Sequence, residues 1–115
     1  MLLVTSRDTG RWVLPKGNID RGMTPAAAAA QEAKEEAGVR GRVAKVPIGT
    51  YRYRKTRLPG WSRVIDVSVY PFAVTEELPQ WKEQHQRERR WFAPAEAADA
   101  VDEPELKALL LAFAP

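Results

Sequence analysis

Three glutamates, Glu32, Glu35 and Glu36, stand at i, i+3 and i+4 in a run of strong helix formers. On an α-helix that spacing puts their carboxylates within an arc of roughly 100° on one face. Like charges so placed destabilise a helix by roughly a few tenths of a kcal/mol per pair. The one cation of the segment, Lys34, has Ala30, Gln31, Ala37 and Gly38 as its three- and four-apart neighbours, so no local pair relieves the repulsion. A hard divalent cation would relieve it, because Mg²⁺ takes a few carboxylates and completes its octahedron with water and phosphate oxygens. An isolated Glu-x-x-Glu-Glu run is more often a solvated acidic face, so the surrounding elements have to decide.

Those elements are legible. Leu2-Leu3-Val4 is a short apolar strand, Asp8-Thr9-Gly10 a turn, and Trp12-Val13-Leu14 a second strand closed by Pro15-Lys16-Gly17. A loop through Gly22 leads to Thr24, an N-cap followed by Pro25 at the first helical position, and Gly38 sits where a C-terminal cap belongs. This predicts a capped helix of about three to four turns that carries the glutamates. Strand-like material follows from Val39 to Lys55, Arg57-Leu58-Pro59-Gly60 is a turn, and the alternation from Arg63 to Thr75 predicts a long hairpin with the preceding strand. A polar loop over Glu76 to Gln86, a last strand over Arg87 to Phe92, a helical turn from Pro94 and a C-terminal helix over Glu103 to Phe113 complete the chain. In that last helix Leu106, Leu109, Leu110 and Phe113 form the apolar stripe.

The 115 residues suit one domain, and 44% hydrophobic against 29% charged residues excludes global disorder. With no Cys there is no disulfide scaffold, thiol nucleophile or thiolate zinc site. No apolar run approaches the roughly 18 residues of a membrane span, and the start lacks the pattern of a secretory leader, so a cytoplasmic location is expected. A net charge of +3 points to an anionic partner without choosing one.

With these elements in place, Gly17 and then Glu32-Ala33-Lys34-Glu35-Glu36-Ala37-Gly38-Val39 resemble the Nudix box of hydrolases acting on nucleoside diphosphates linked to another moiety. The box spacing holds throughout, with two departures: Met23 stands for the family's first Glu and Gln31 for its Arg. Met23, just before the cap Thr24, is placed to act as an apolar staple on the first helical turns. The resemblance extends over nearly the whole chain and is nearest to the diphosphoinositol and diadenosine polyphosphate phosphohydrolase branch. It rests there on Leu2 to Gly17, Gly38 to Gly41, the Trp81 segment, and Arg87 to Phe92 followed by Glu96-Ala97. Members of that branch carry a strand, with basic substrate contacts, before the one that opens this sequence; either the start is truncated or those contacts are absent.

The resemblance implies one domain over residues 1–115 of α+β class, an α/β/α sandwich with a mixed sheet between helices, the box helix on one side and the C-terminal helix on the other. It implies Glu32, Glu36 and Glu35 as ligands of Mg²⁺ or Mn²⁺, with Glu35 also the general base, and hydrolysis of a pyrophosphate bond in an anionic small molecule. It places phosphate contacts at Ser6, Arg7, Lys16, Gly17, Arg57 and Arg87. Two dense basic groups, Arg52 to Arg57 and Arg87 to Arg90, fit a ligand with several phosphates. Trp12, Phe72, Trp91 and Phe92 are expected in the core, whereas Trp61 and Trp81 fall in loops, where each could stack on a base or cover a sheet edge. His85 has no partner at ligand spacing. A ligand-binding sensor with little turnover is the first alternative. A nucleic-acid binding module is the second, and it explains the cations but not the acidic helix face.

Overall fold

The computed structural model describes residues 1–16, 22–58 and 60–113, with the side chains of residues 55–58 excluded. Seven strands form: β1 Leu2–Thr5, β2 Trp12–Val13, β3 Val39–Val43, β4 Gly49–Leu58, β5 Trp61–Val69, β6 Phe72–Glu77 and β7 Arg89–Trp91. Helix α1 spans Pro25–Glu32 and continues as a π-helical turn over Ala33–Ala37; α2 is Pro94–Ala100 and α3 Pro104–Ala112. The α+β class expected from the sequence is found, and every described strand pair is antiparallel.

Strand β1 is the hinge of the architecture. It pairs with β2 on one edge and β7 on the other, and its successive side chains point to opposite faces. Leu3 joins a core with Tyr51, Ala97, Ala98, Val101, Leu106 and Leu110, which α2 and α3 cover. Val4 joins a second core with Val13, Ala33, Ala37 and Val39, which the box helix covers. Both Leu3 and Val4 are fully buried. A strand apolar on both faces needs a layer on each side, and that requirement sets the helix with the glutamates against β1.

The helix begins as the sequence dictates. Thr24 accepts a hydrogen bond from the Ala27 N–H at 3.1 Å through its hydroxyl, and Pro25 opens the first turn. It ends at Gly38 with φ 66°, a left-handed conformation that side chains disfavour.

The long hairpin is half of what the alternation predicts. β4 and β5 do pair, from Gly49↔Val69 to Leu58↔Trp61, but the run from Arg63 to Thr75 breaks at Tyr70-Pro71. Proline has no N–H to give a ladder, and β6 leaves β4 to pair with β3. The expected turn is also tighter, since Arg57 and Leu58 belong to β4. Two aromatics differ as well: Trp61 opens β5 instead of lying in a loop, and Trp91 is 50% exposed, its indole N–H donating to Glu77 at 3.1 Å. Trp12 and Phe92 do pack, edge to face with centroids 5.0 Å apart. No helix among the described residues is long and apolar enough to cross a membrane.

Candidate active site

The carboxylates do not share one arc. A turn closed by i→i+5 bonds rotates less per residue than an α-turn. Widening over Ala33–Ala37 therefore keeps Glu36 beside Glu32 and swings Glu35 away. Glu36 is 4% exposed and hydrogen-bonds the Glu32 carboxyl. Its Oε1 accepts the Lys16 backbone N–H at 3.3 Å and lies 3.5 Å from Nη2 of Arg87. Glu35 instead accepts from the Gln31 amide at 3.3 Å and pairs with Lys82 at 3.6 Å. The expectation that three carboxylates point the same way is corrected to two together and one apart.

Burial is the largest influence on Glu36, and the hydrogen bond to Glu32 adds to it. Arg87 and the Lys16 N–H oppose them, and the net result pushes the Glu36 carboxyl up from 4.5 to about 8. A carboxyl pair of this kind, with one member buried, gains from a cation beside it. Among the described residues no three acidic or histidine side chains stand together as a metal cage. Two carboxylates fit Mg²⁺ nonetheless, because that ion commonly takes one or two and leaves its other positions to water and substrate phosphate.

The arrangement is held from the far end of the helix. The last carbonyls, from Glu35 onward, which lack intrahelical partners, are satisfied by residues that follow β6 in the chain. The Glu83 N–H donates to Glu35 O at 3.0 Å, and the Trp81 indole N–H to Glu36 O at 3.1 Å. Arg89 Nη1 donates to Ala37 O and Gly38 O at 3.1 Å each. The Arg89 guanidinium also stacks on Trp81, 4.1 Å from the ring centroid, and a Cβ on Gly38 would come within 2.6 Å of the same indole. Trp81 is thus a helix clamp with a ring face engaged by Arg89, a role different from either the base stacking or the sheet-edge covering expected of it.

Of the residues expected at phosphate, three converge on this corner. Arg87 is buried between Glu83, at 2.8 Å, Glu36 and the Thr5 carbonyl, to which it donates at 3.1 Å. Arg7 is exposed, donates to Gln86 at 3.1 Å and lies 3.6 Å from Glu83. The ammonium of Lys16 rests over the Tyr53 ring at 3.8 Å. Ser6 is not free in the same way, because its hydroxyl closes its own turn with Thr9 at 2.7 Å. Gly17 and the Arg57 side chain lie outside the described residues. A separate cleft of about 970 Å³ opens on the Glu35 side, lined by Met23, Gln31, Lys34, Glu35, Trp81 and Lys82 among others. Neither Glu32 nor Glu36 lines it, nor do Ser6, Arg7, Lys16 or Arg87 among the described residues.

Glu83 and Tyr53 were not expected at the site, and Arg89 was expected there only as part of the basic group that would meet phosphate. Glu83 had one signal, its i,i+4 spacing to Arg87. Arg89 and Trp81 act on carbonyls some fifty positions earlier (|i−j| = 52 for Arg89 and Ala37), which no local pattern encodes.

Comparison with known proteins agrees with this geometry. A model of the NUDIX domain matches residues 1–113. Nudix hydrolase 12, mitochondrial, of Arabidopsis thaliana is 39% identical over 106 residues, covering 86% of this chain and 50% of that protein. Nudix hydrolase 16, mitochondrial, of the same plant is 32% identical over 114 residues, 96% of this chain and 63% of that protein. Human diphosphoinositol polyphosphate phosphohydrolase 3-beta is 31% identical over 99 residues, 84% of this chain and 56% of that protein. The chain spans about half the length of the curated relatives it matches. A helix that packs Ala33 and Ala37 against β1 and carries a buried Glu36 beside Glu32, in a chain matched almost from end to end, places this protein in the NUDIX domain family.

Proposed function

We propose that the domain is a divalent-metal-dependent pyrophosphohydrolase acting on a small molecule with several phosphates, such as a dinucleoside polyphosphate or a diphosphoinositol polyphosphate. The observation that carries the reading is the Glu32–Glu36 pair, hydrogen-bonded together, with Glu36 buried and Lys16 and Arg87 beside it. Mg²⁺ or Mn²⁺ held there would neutralise phosphate charge and lower the pKa of an attacking water. Glu32 and Glu36 are the ligands in this reading. Lys16 and Arg7 attract the phosphate chain as accessible cations, and Arg87 holds Glu36 against Glu83. Glu35, which stands apart from the ligand pair with Gln31 and Lys82 orienting it, is the proton acceptor.

The test is hydrolysis of a panel containing a dinucleoside polyphosphate, a diphosphoinositol polyphosphate, a nucleoside triphosphate and ADP-ribose. It is run with Mg²⁺ or Mn²⁺ and with EDTA, on wild type and Glu36→Gln. Turnover of a polyphosphate that is lost in EDTA and in the variant is the expected result. A second reading, a ligand-binding sensor with little turnover, is favoured by one observation, the separation of Glu35 from the Glu32–Glu36 pair. Binding of a panel member with no cleavage in any metal would establish it.

A further inference from the structure

Tyr53 belongs to β4, opposite Ile65 of β5, and packs against the core beneath α2 and α3. Its ring receives two cations: the Lys16 ammonium at 3.8 Å from the centroid and the Arg11 guanidinium at 5.3 Å. Arg11 is itself fixed by a two-pronged pair with Glu103 at 3.2 and 2.9 Å. Lys16 is different. Among the described residues no carboxylate pairs with its ammonium, and its backbone N–H is the donor to the buried Glu36. The residue is tied at one end to the carboxylate pair and at the other to an aromatic face.

A lysine side chain has four rotatable bonds and loses considerable rotamer entropy when immobilised. An aromatic face holds an ammonium without neutralising it, unlike a carboxylate, so the charge stays available to an anion. We infer that Tyr53 is a positioning residue that presents the Lys16 ammonium to the phosphate chain of the substrate. Arg11 and Glu103 keep the ring in place from the other side of the network. This inference deepens the proposed function and rests on it for the identity of the anion.

The test measures affinity for inorganic imidotriphosphate, whose P–N–P links resist hydrolysis, by calorimetry with Mg²⁺ present. Tyr53→Leu is expected to weaken binding about three- to tenfold, and Tyr53→Phe, which keeps the ring, to stay within about twofold of wild type. Lys16→Met should weaken binding at least as much as Tyr53→Leu does, and the double variant no further than Lys16→Met, since the ring acts only through that ammonium. In turnover assays the loss should appear in KM, with kcat little changed. A Tyr53→Phe protein as weak as Tyr53→Leu, fully additive single variants, or a wild type that does not bind imidotriphosphate would each overturn the inference. Hydrolysis on the substrate panel reports separately. Ring-dependent binding without any cleavage overturns the pyrophosphohydrolase reading and leaves the role of Tyr53 standing. Cleavage with an affinity indifferent to Tyr53→Leu does the reverse.

Discussion

Glu35 and Glu36 are chain neighbours with identical side chains, yet Glu36 is enclosed with Glu32, Lys16 and Arg87 while Glu35 faces a cleft with Gln31 and Lys82. Their partners differ in kind as well. Arg87 is buried, one-tenth exposed, and bonded to three groups, whereas Lys82 is 69% exposed and bonded to one. What separates the two glutamates is the rotational phase of the helix, set by the widened turn and by the clamp that Trp81, Glu83 and Arg89 place on its last carbonyls. One face encloses its carboxyl under constraint and the other leaves its carboxyl within reach of solvent. A pair of adjacent acids in a motif therefore needs its helix phase before roles can be given.

The sharpest way to break that contrast is to remove the buried cation. Arg87→Ala leaves Glu83, itself only 13% exposed, and Glu36 without their shared partner. Removing one member of a buried pair costs about 3–5 kcal/mol, a large part of the roughly 5–15 kcal/mol that stabilises a domain. Urea unfolding at neutral pH should show the midpoint drop accordingly. A loss below about 1 kcal/mol would mean that the Glu36 corner is as solvated as the Glu35 side.

The elements that position the site were largely legible, for local reasons. Thr24-Pro25 and Gly38 announce the helix ends through hydrogen bonding and backbone conformation that act within a few residues. Leu3 and Val4 are both apolar, and β1 is accordingly buried on both faces. The helix phase was not legible, because an α-helical period was the only period available to a reader of Glu32, Glu35 and Glu36. The π-turn is coupled to contacts from residues 81–89, far along the chain. The basic cluster at Arg87 to Arg90 misled for the same reason. Its density suggested ligand binding, but Arg89 completes the helix clamp and Arg87 pairs with Glu36 and Glu83.

A second contrast lies in pH. The folded state raises the Glu36 carboxyl to about 8, so between its ordinary value and that pH the native protein holds a proton that the unfolded chain has released. Stability then falls as pH rises, because the unfolded state binds fewer protons. In EDTA the melting temperature of wild type is expected to decline from pH 5 to pH 8, beyond any change seen in Glu36→Gln, which has no proton to lose there. Glu35→Gln should follow wild type. Adding Mg²⁺ at pH 8 should restore much of the loss to wild type and little to Glu36→Gln. If Glu35→Gln rather than Glu36→Gln flattened the profile, the assignment of the two faces would be reversed.

The smallest effect belongs to the exposed pair. Lys82 and Glu35 approach to 3.6 Å with the lysine 69% exposed, a geometry in which Coulomb attraction is screened by water and salt and offset by side-chain ordering. Lys82→Ala should change stability by about 0–1 kcal/mol and leave the pH profile in EDTA unaltered. Its consequence, if the proton-acceptor role of Glu35 holds, is in the rate. Without the ammonium, one of the two contacts that orient the carboxylate is gone, so kcat should fall modestly at low salt and converge on wild type at high salt, where the pair is already screened. A salt-independent fall would mean that Lys82 acts by packing against the cleft wall, and no change in kcat at any salt would leave Gln31 alone to orient Glu35.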